Sequence, residues 1–301
     1  MVHIFLSIGG IYLFILLGFF AKLTFKEQMH EKTLVLLSIY FLQPILVFWG
    51  LTSRKIDFSV VEAPLLFAAV TGVALLISFV FSRLLFSGAK ERSIATVASV
   101  VGNTGNLGIP LGIALFGEES VIYTSIINMA NVFLVNTVGV YFYSRGNFSI
   151  RDSFFNIFKL PPIWFGSLAL FLNYIGFSLH EDLQTPLKMG AYATIVIQLA
   201  IFGMYLYSVE IKRIDWRLFS FVTFMKFIAI PLMALLILHL NHVDTLVYNV
   251  ILLELIVPLA VMNVNLAALY DCKPAVVTFL VFGTSVIFMV YIFGVMKLFH
   301  H

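Results

Sequence analysis

Asn103 and Asn106 stand three residues apart, with Gly102, Gly105 and Gly108 set around them and Pro110 four residues further on. Each carboxamide carries two donors and one acceptor, and glycine lets a ligand approach the backbone closely. The run Gly102-Asn103-Thr104-Gly105-Asn106-Leu107-Gly108-Ile109-Pro110 falls inside a stretch otherwise apolar enough to cross a bilayer. Glycines in a helix interior cost about 1 kcal/mol each and a proline about 3 more. A membrane helix carries such a break only where protein or a water-filled cavity covers the freed backbone groups. Secondary transporters build midplane substrate sites from broken helices, so the sequence points to movement of a small solute.

The elements that must position these residues are membrane spans. The 301 residues are 61% hydrophobic and only 11% charged, where a soluble domain has about 25% charged residues. Mean hydropathy is +1.04. Ten stretches are long enough to span, near 4–21, 33–51, 62–84, 93–116, 121–143, 161–179, 188–208, 216–239, 245–269 and 275–296. The first lacks the basic start and the cleavage site of a signal peptide. Cys272 is the single cysteine, which excludes an internal disulfide, and the His300-His301 pair is assigned nothing.

Charge placement orients the spans. Loops after expected helices 1, 3, 5, 7 and 9 hold thirteen lysines and arginines: Lys22, Lys26, Lys32, Arg83, Lys90, Arg92, Arg145, Arg151, Lys159, Lys212, Arg213, Arg217 and Lys273. The other side holds Arg54, Lys55, Lys188 and Lys297. The positive-inside rule then puts both termini on the non-cytoplasmic face of the cytoplasmic (inner) membrane. The partners expected are the lipid bilayer and a small solute, with no nucleic acid. No His/Cys metal cluster, phosphate loop or Ser-His-Asp signature is present in the sequence, so neither an enzyme nor a cofactor is expected.

Five spans in each half invert the second half relative to the first, as inverted-topology repeats require. The expected halves are 1–148 and 149–301, joined through 144–159. Expected helix 9 holds the matching break at Pro258-Leu259, followed by Asn263 and Asn265. Each break exposes a half-helix N-terminus with unpaired N–H groups and about half a positive charge, and such ends bind anions. The expected substrate-binding set is Asn103, Gly105, Asn106, Gly108, Pro110, Leu111, Pro258, Leu259, Asn263, Asn131 and Gln43. Asn103 and Asn106 share a face if the chain is helical up to Pro110; the competing reading makes them caps or interhelical glue. For Asn128, Asn131, Asn136, Gln43 and Gln198, interhelical hydrogen bonding is the preferred reading.

Glu254 is the one acid deep in a span, and Lys226 the one basic residue. A buried carboxylate must be paired, protonated or bound to a cation. Glu254 is therefore a candidate for coupling to H⁺ or Na⁺, or else a neutral acid bonded to the nearby break. Lys226 is the second ion-coupling candidate; it pairs with Glu254, attracts an anion, or snorkels to the surface.

The chain resembles the auxin efflux carrier family. The likeness lies in 103–111, in Phe116-Gly117, in Pro258-Leu259-Ala260-Val261 with Ala267-Ala268-Leu269-Tyr270, and in Tyr40-Phe41-Leu42-Gln43-Pro44-Ile45-Leu46. The resemblance implies an organic-acid carrier of the bacterial, malonate-type branch, with a fold like that of bile-acid sodium symporters. Helices 1, 2, 6 and 7 would form a scaffold, and 3–5 with 8–10 an elevator-like core around crossed helices 4 and 9. It also implies that Asn103 holds the substrate carboxylate and that the chain forms a homodimer. The long regulatory loop of the plant carriers is absent. Two rivals are a Na⁺/H⁺ exchanger of related architecture and an anion sensor that moves nothing.

Overall fold

In the computed structural model the described residues are 2–53, 55–144, 158–177, 179–207, 214–241, 243–295 and 299. They form an all-helical molecule. Taken in chain order, the helices are α1 (Val2–Phe25), α2 (Glu31–Thr52), α3 (Phe58–Leu85), α4 (Ala89–Val97), α5 (Thr104–Phe116) and α6 (Glu118–Tyr143). Then follow α7 (Pro161–Tyr174), α8 (Glu181–Tyr207), α9 (Trp216–Leu240), α10 (Thr245–Ile256), α11 (Met262–Leu269) and α12 (Pro274–Val295). Seven of them, α1, α2, α3, α6, α8, α9 and α12, are long and apolar enough to cross a bilayer. Of the other expected spans, 161–179 is represented by the shorter α7, while 93–116 and 245–269 are each split into two half-helices. The join expected near residue 148, with Arg145 and Arg151, lies outside the described residues, as do Arg54, Lys212, Arg213, Lys297, His300 and His301.

Side-chain acceptors start several helices. Asp57, Asp215 and Asp244 take the orphan N–H groups of Val60, Leu218 and Leu246 at 3.2, 3.0 and 2.9 Å. Proline explains the local distortions. Pro44, Pro110 and Pro231 each follow a widened five-residue turn, 38–42, 104–108 and 225–229, and occupy the second position of the regular helix after it. Proline has no N–H and clashes with the carbonyl four residues back; a π turn moves that carbonyl aside.

Exposed leucines and phenylalanines cover the outside. Leu13, Leu17 and Phe20 on α1, Leu65, Leu76 and Leu84 on α3, and Leu232, Leu236 and Leu240 on α9 recur at helical spacing. Such a belt suits lipid, and on a water-facing monomer it would far exceed an ordinary apolar patch. Inside, α1 lies against α8 so closely that a β-carbon on Gly18 would overlap the Ala200 carbonyl, and one on Gly203 the Ile15 carbonyl. α2 packs on α7 and α8; α3 packs on α4, α6, α9 and α10. α5 touches α1 and, through its first turn, α8.

The break in the first half differs from the position read in the sequence. The chain leaves the helix at 98–103, ahead of Asn103, and regains it at Thr104 rather than opening at Pro110. Pro110, already inside a regular helix, breaks nothing there because the wide turn before it removes the carbonyl clash. The second break spans 257–261 and includes Pro258, where the sequence placed it.

Candidate functional site

The two breaks cross. Gly102 and Leu259 form an isolated antiparallel bridge: the Asn103 N–H donates to the Pro258 carbonyl at 2.9 Å, and the Ala260 N–H to the Val101 carbonyl at 3.0 Å. Each segment thereby satisfies part of the backbone the other leaves bare, as a break inside a bilayer demands. Side chains complete the cover. Asn131 Nδ2 donates to the Gly102 carbonyl and to Thr104 Oγ1, both at 2.9 Å, and Thr104 Oγ1 donates to Asn128 Oδ1 at 2.9 Å. Asn263 Nδ2 donates to the carbonyls of Val101 and Ala260 at 3.1 and 3.0 Å, and its Oδ1 accepts from the Tyr143 hydroxyl at 3.0 Å.

An open cavity lies on one side of this crossing. Its floor is Gly102, Asn103, Thr104, Gly105 and Asn106 from the first break and Ala260, Val261 and Met262 from the second. Its walls come from residues 35–43 of α2, 128–136 of α6, 160–162 at the head of α7 and 198–205 of α8. Carboxamides line it on several sides: Gln43, Asn128, Asn131, Asn136, Gln198 and Asn265 join Asn103 and Asn106. Among the described residues, no side chain ordinarily charged at neutral pH lines it. The N-terminal ends of α5 and α11 both border this space, so two partial positive helix ends face it.

Several polar atoms are left without partners among the described residues. The Asn103 side chain is 3% exposed, and its Nδ2 has no acceptor. Asn131 Oδ1 and Gln198 Oε1 have no donor. Orphaned polar atoms in a buried site call for a specific cause, and here they border one cavity.

The structure gathers Asn103, Gly105, Asn106, Asn131 and Gln43 around the cavity. Asn131 is also an interhelical bridge, as Asn128 is, so these amides both build and line the site. Gly108, Pro110, Leu111, Pro258, Leu259 and Asn263 lie off the cavity wall. Gly108 abuts the Glu254 carboxylate, and Asn263 locks the crossing. Glu254 and Lys226 are buried behind the crossing. Sequence reasoning passed over Thr104, whose hydroxyl joins α5 to α6, and Tyr143, whose hydroxyl holds Asn263. Thr104 stood between two marked residues, and that neighbourhood was the only signal available for it.

Crossed half-helices around a polar cavity, in a molecule coated with apolar side chains, define a membrane transport protein. The family described as membrane transport protein, the auxin efflux carriers, matches residues 3–296, and the chain belongs to that family. It is also 26% identical over 283 residues to the uncharacterized transporter MJ1031 of Methanocaldococcus jannaschii, covering 90% of this chain and 91% of that one.

Proposed function

We propose that this protein is a secondary carrier for a small organic anion, a mono- or dicarboxylate of the malonate type, working by alternating access in the cytoplasmic membrane. The observation that carries the reading is Asn103. Its backbone N–H is committed to the crossing while its side-chain donor is buried and unpaired, in a residue that lines the cavity beside two half-helix N-termini. A carboxylate there would accept from the amide and from the first N–H groups of α5, with the N-terminal end of α11 adding its partial positive charge.

The walls suggest which way the site faces. They come from the start of α2, the start of α7, the end of α6 and the end of α8, all next to loops that the basic residues assign to the cytoplasm. At the far end, Glu118 closes a tie to α8 through Lys188, at 2.6 and 2.8 Å to its two oxygens, and the Tyr192 hydroxyl at 2.8 Å. This is the arrangement of an inward-open carrier with its outer side shut. The ten-span, five-plus-five reading fits the antiparallel meeting of two equivalent breaks. The close α1–α8 pair with α2 and α7 would be the scaffold, and the rest an elevator-like core.

Counterflow in proteoliposomes tests the reading: protein loaded with unlabelled anion, challenged with labelled malonate, malate, lactate or an indole acid. Exchange of any of these, lost in Asn103→Ala, is the expected result. No exchange together with ion-driven pH changes would indicate the Na⁺/H⁺ exchanger; silence in both would indicate a sensor.

A further inference from the structure

Glu254 and Lys226 are the two ionisable side chains sealed at the crossing, and neither lines the cavity. Both oxygens of Glu254 are without a hydrogen-bond partner among the described residues. Its carboxylate fills the place a β-carbon on Gly108 would take. Lys226 Nζ lies elsewhere, against Gly102, 3.0 Å from where that residue's β-carbon would stand. No ion pair joins the two side chains, although each lies within reach of the other's field.

We propose that Glu254 binds a proton together with the substrate anion, so that transport is a proton–anion symport; this rests on the carrier reading above.

A bare carboxylate sealed away from water, with no donor on either oxygen, costs several kcal/mol. A proton removes that charge without needing a ligand shell. A metal cation needs several oxygens around it.

Gly102 makes the link to substrate. It lines the cavity on one side and meets Lys226 Nζ on the other, with no side chain between. An anion beside Asn103 attracts the ammonium toward Gly102 through a low-dielectric wall. Held there, Lys226 does not neutralise Glu254, which keeps its proton. Without the anion that pull relaxes, the ammonium turns to Glu254, and the proton leaves. Because binding linkage is reciprocal, a proton on Glu254 strengthens anion binding by the same factor that the anion strengthens proton binding.

Among the described residues, Lys226 is the charge that faces Glu254. The helices packed on α10 carry their other charged or imidazole groups near their ends: Glu62 and Arg83 on α3, Glu118 and Glu119 on α6, Arg217 and His239 on α9. α5 carries none.

The test has two arms. Infrared spectra of the purified protein at pH 7 with a saturating concentration of the exchanging anion should show the carbonyl stretch of a protonated carboxylic acid that the anion-free protein and E254Q lack; spectra that do not change with the anion would overturn the proposal. In proteoliposomes, an inward proton gradient should drive accumulation of whichever of malonate, malate, lactate or indole acid exchanges. In E254Q that accumulation should fall by about tenfold or more, while anion–anion exchange, which needs no net proton movement, stays within about threefold. Exchange with no response to the gradient, or accumulation driven by Na⁺ and lost in E254Q, would overturn the proposal while leaving the carrier reading intact. Absence of exchange in the unmodified protein would fault the carrier reading, and the infrared arm, run with each of the four acids in turn, would still show whether anion binding protonates Glu254. K226M, which removes the charge that answers the anion, should leave the infrared band and make anion affinity independent of pH.

Discussion

The Asn103 N–H donates to the Pro258 carbonyl at 2.9 Å, and this one bond fixes where the rest of Asn103 goes. With its backbone used to pin the two breaks together, the residue caps α5 and its carboxamide borders the cavity without an acceptor. Structure and proposed binding are thus separated within a single residue.

Asn103→Ala should therefore leave the fold intact. The backbone bridge needs no side chain, so the melting temperature in detergent should move by no more than a few degrees. A hydrogen bond to a charged group contributes about 1.5–3 kcal/mol, so anion exchange should fall by roughly 10- to 100-fold. Equal exchange in the variant would remove Asn103 from the site.

Tyr143→Phe should act in the opposite way. The hydroxyl serves Asn263 Oδ1 at full burial and lies off the cavity wall. Its loss strands a buried acceptor, which costs about 1–3 kcal/mol. Thermal unfolding should show the loss, and exchange measured well below the melting temperature should be little changed.

Gly108→Ala should be harmful alone and much less so with Glu254→Ala. A β-carbon at Gly108 meets the Glu254 carboxylate head on, and overpacking of this kind costs about 1–3 kcal/mol. Removing the carboxylate clears the space, so the two changes should be strongly non-additive in a double-mutant cycle. Additive melting shifts would mean that the two side chains do not meet.

Gly203→Leu should prevent the close approach of α1 and α8. The clash is with the Ile15 backbone carbonyl, which cannot rotate away. The expected result is a large drop in melting temperature or failure to accumulate in the membrane, whereas Gly72→Leu, with open space at its β-carbon, should behave as the unmodified protein.

The outer tie should be lost in acid. The tie needs the Glu118 carboxylate ionised to accept from the Lys188 ammonium and the Tyr192 hydroxyl, so protonation of Glu118 weakens it. Glu118→Gln should remove that acid sensitivity and favour outward opening. Accessibility of a cysteine placed at Asn103 to an impermeant reagent from the Glu118 side would rise; unchanged labelling would deny the tie a role.

What the sequence determined by itself was what side-chain type and local spacing can carry. Hydropathy marked the seven helices long and apolar enough to cross, because about twenty apolar residues have one physical use in a bilayer. Glycine, asparagine and proline marked the two breaks because lipid tolerates such residues only under cover. Tertiary structure decided where the first break opens, since the π turn before Pro110 and the partner strand at Pro258 are absent from any local window. It also divided the marked residues into those bordering the cavity, such as Asn103 and Asn106, and those behind the crossing, such as Asn263 and Glu254. The three-residue spacing of Asn103 and Asn106 is the same whichever way a helix faces, and only contact with α6, α8 and α10 decides which atoms are satisfied and which are left for a ligand.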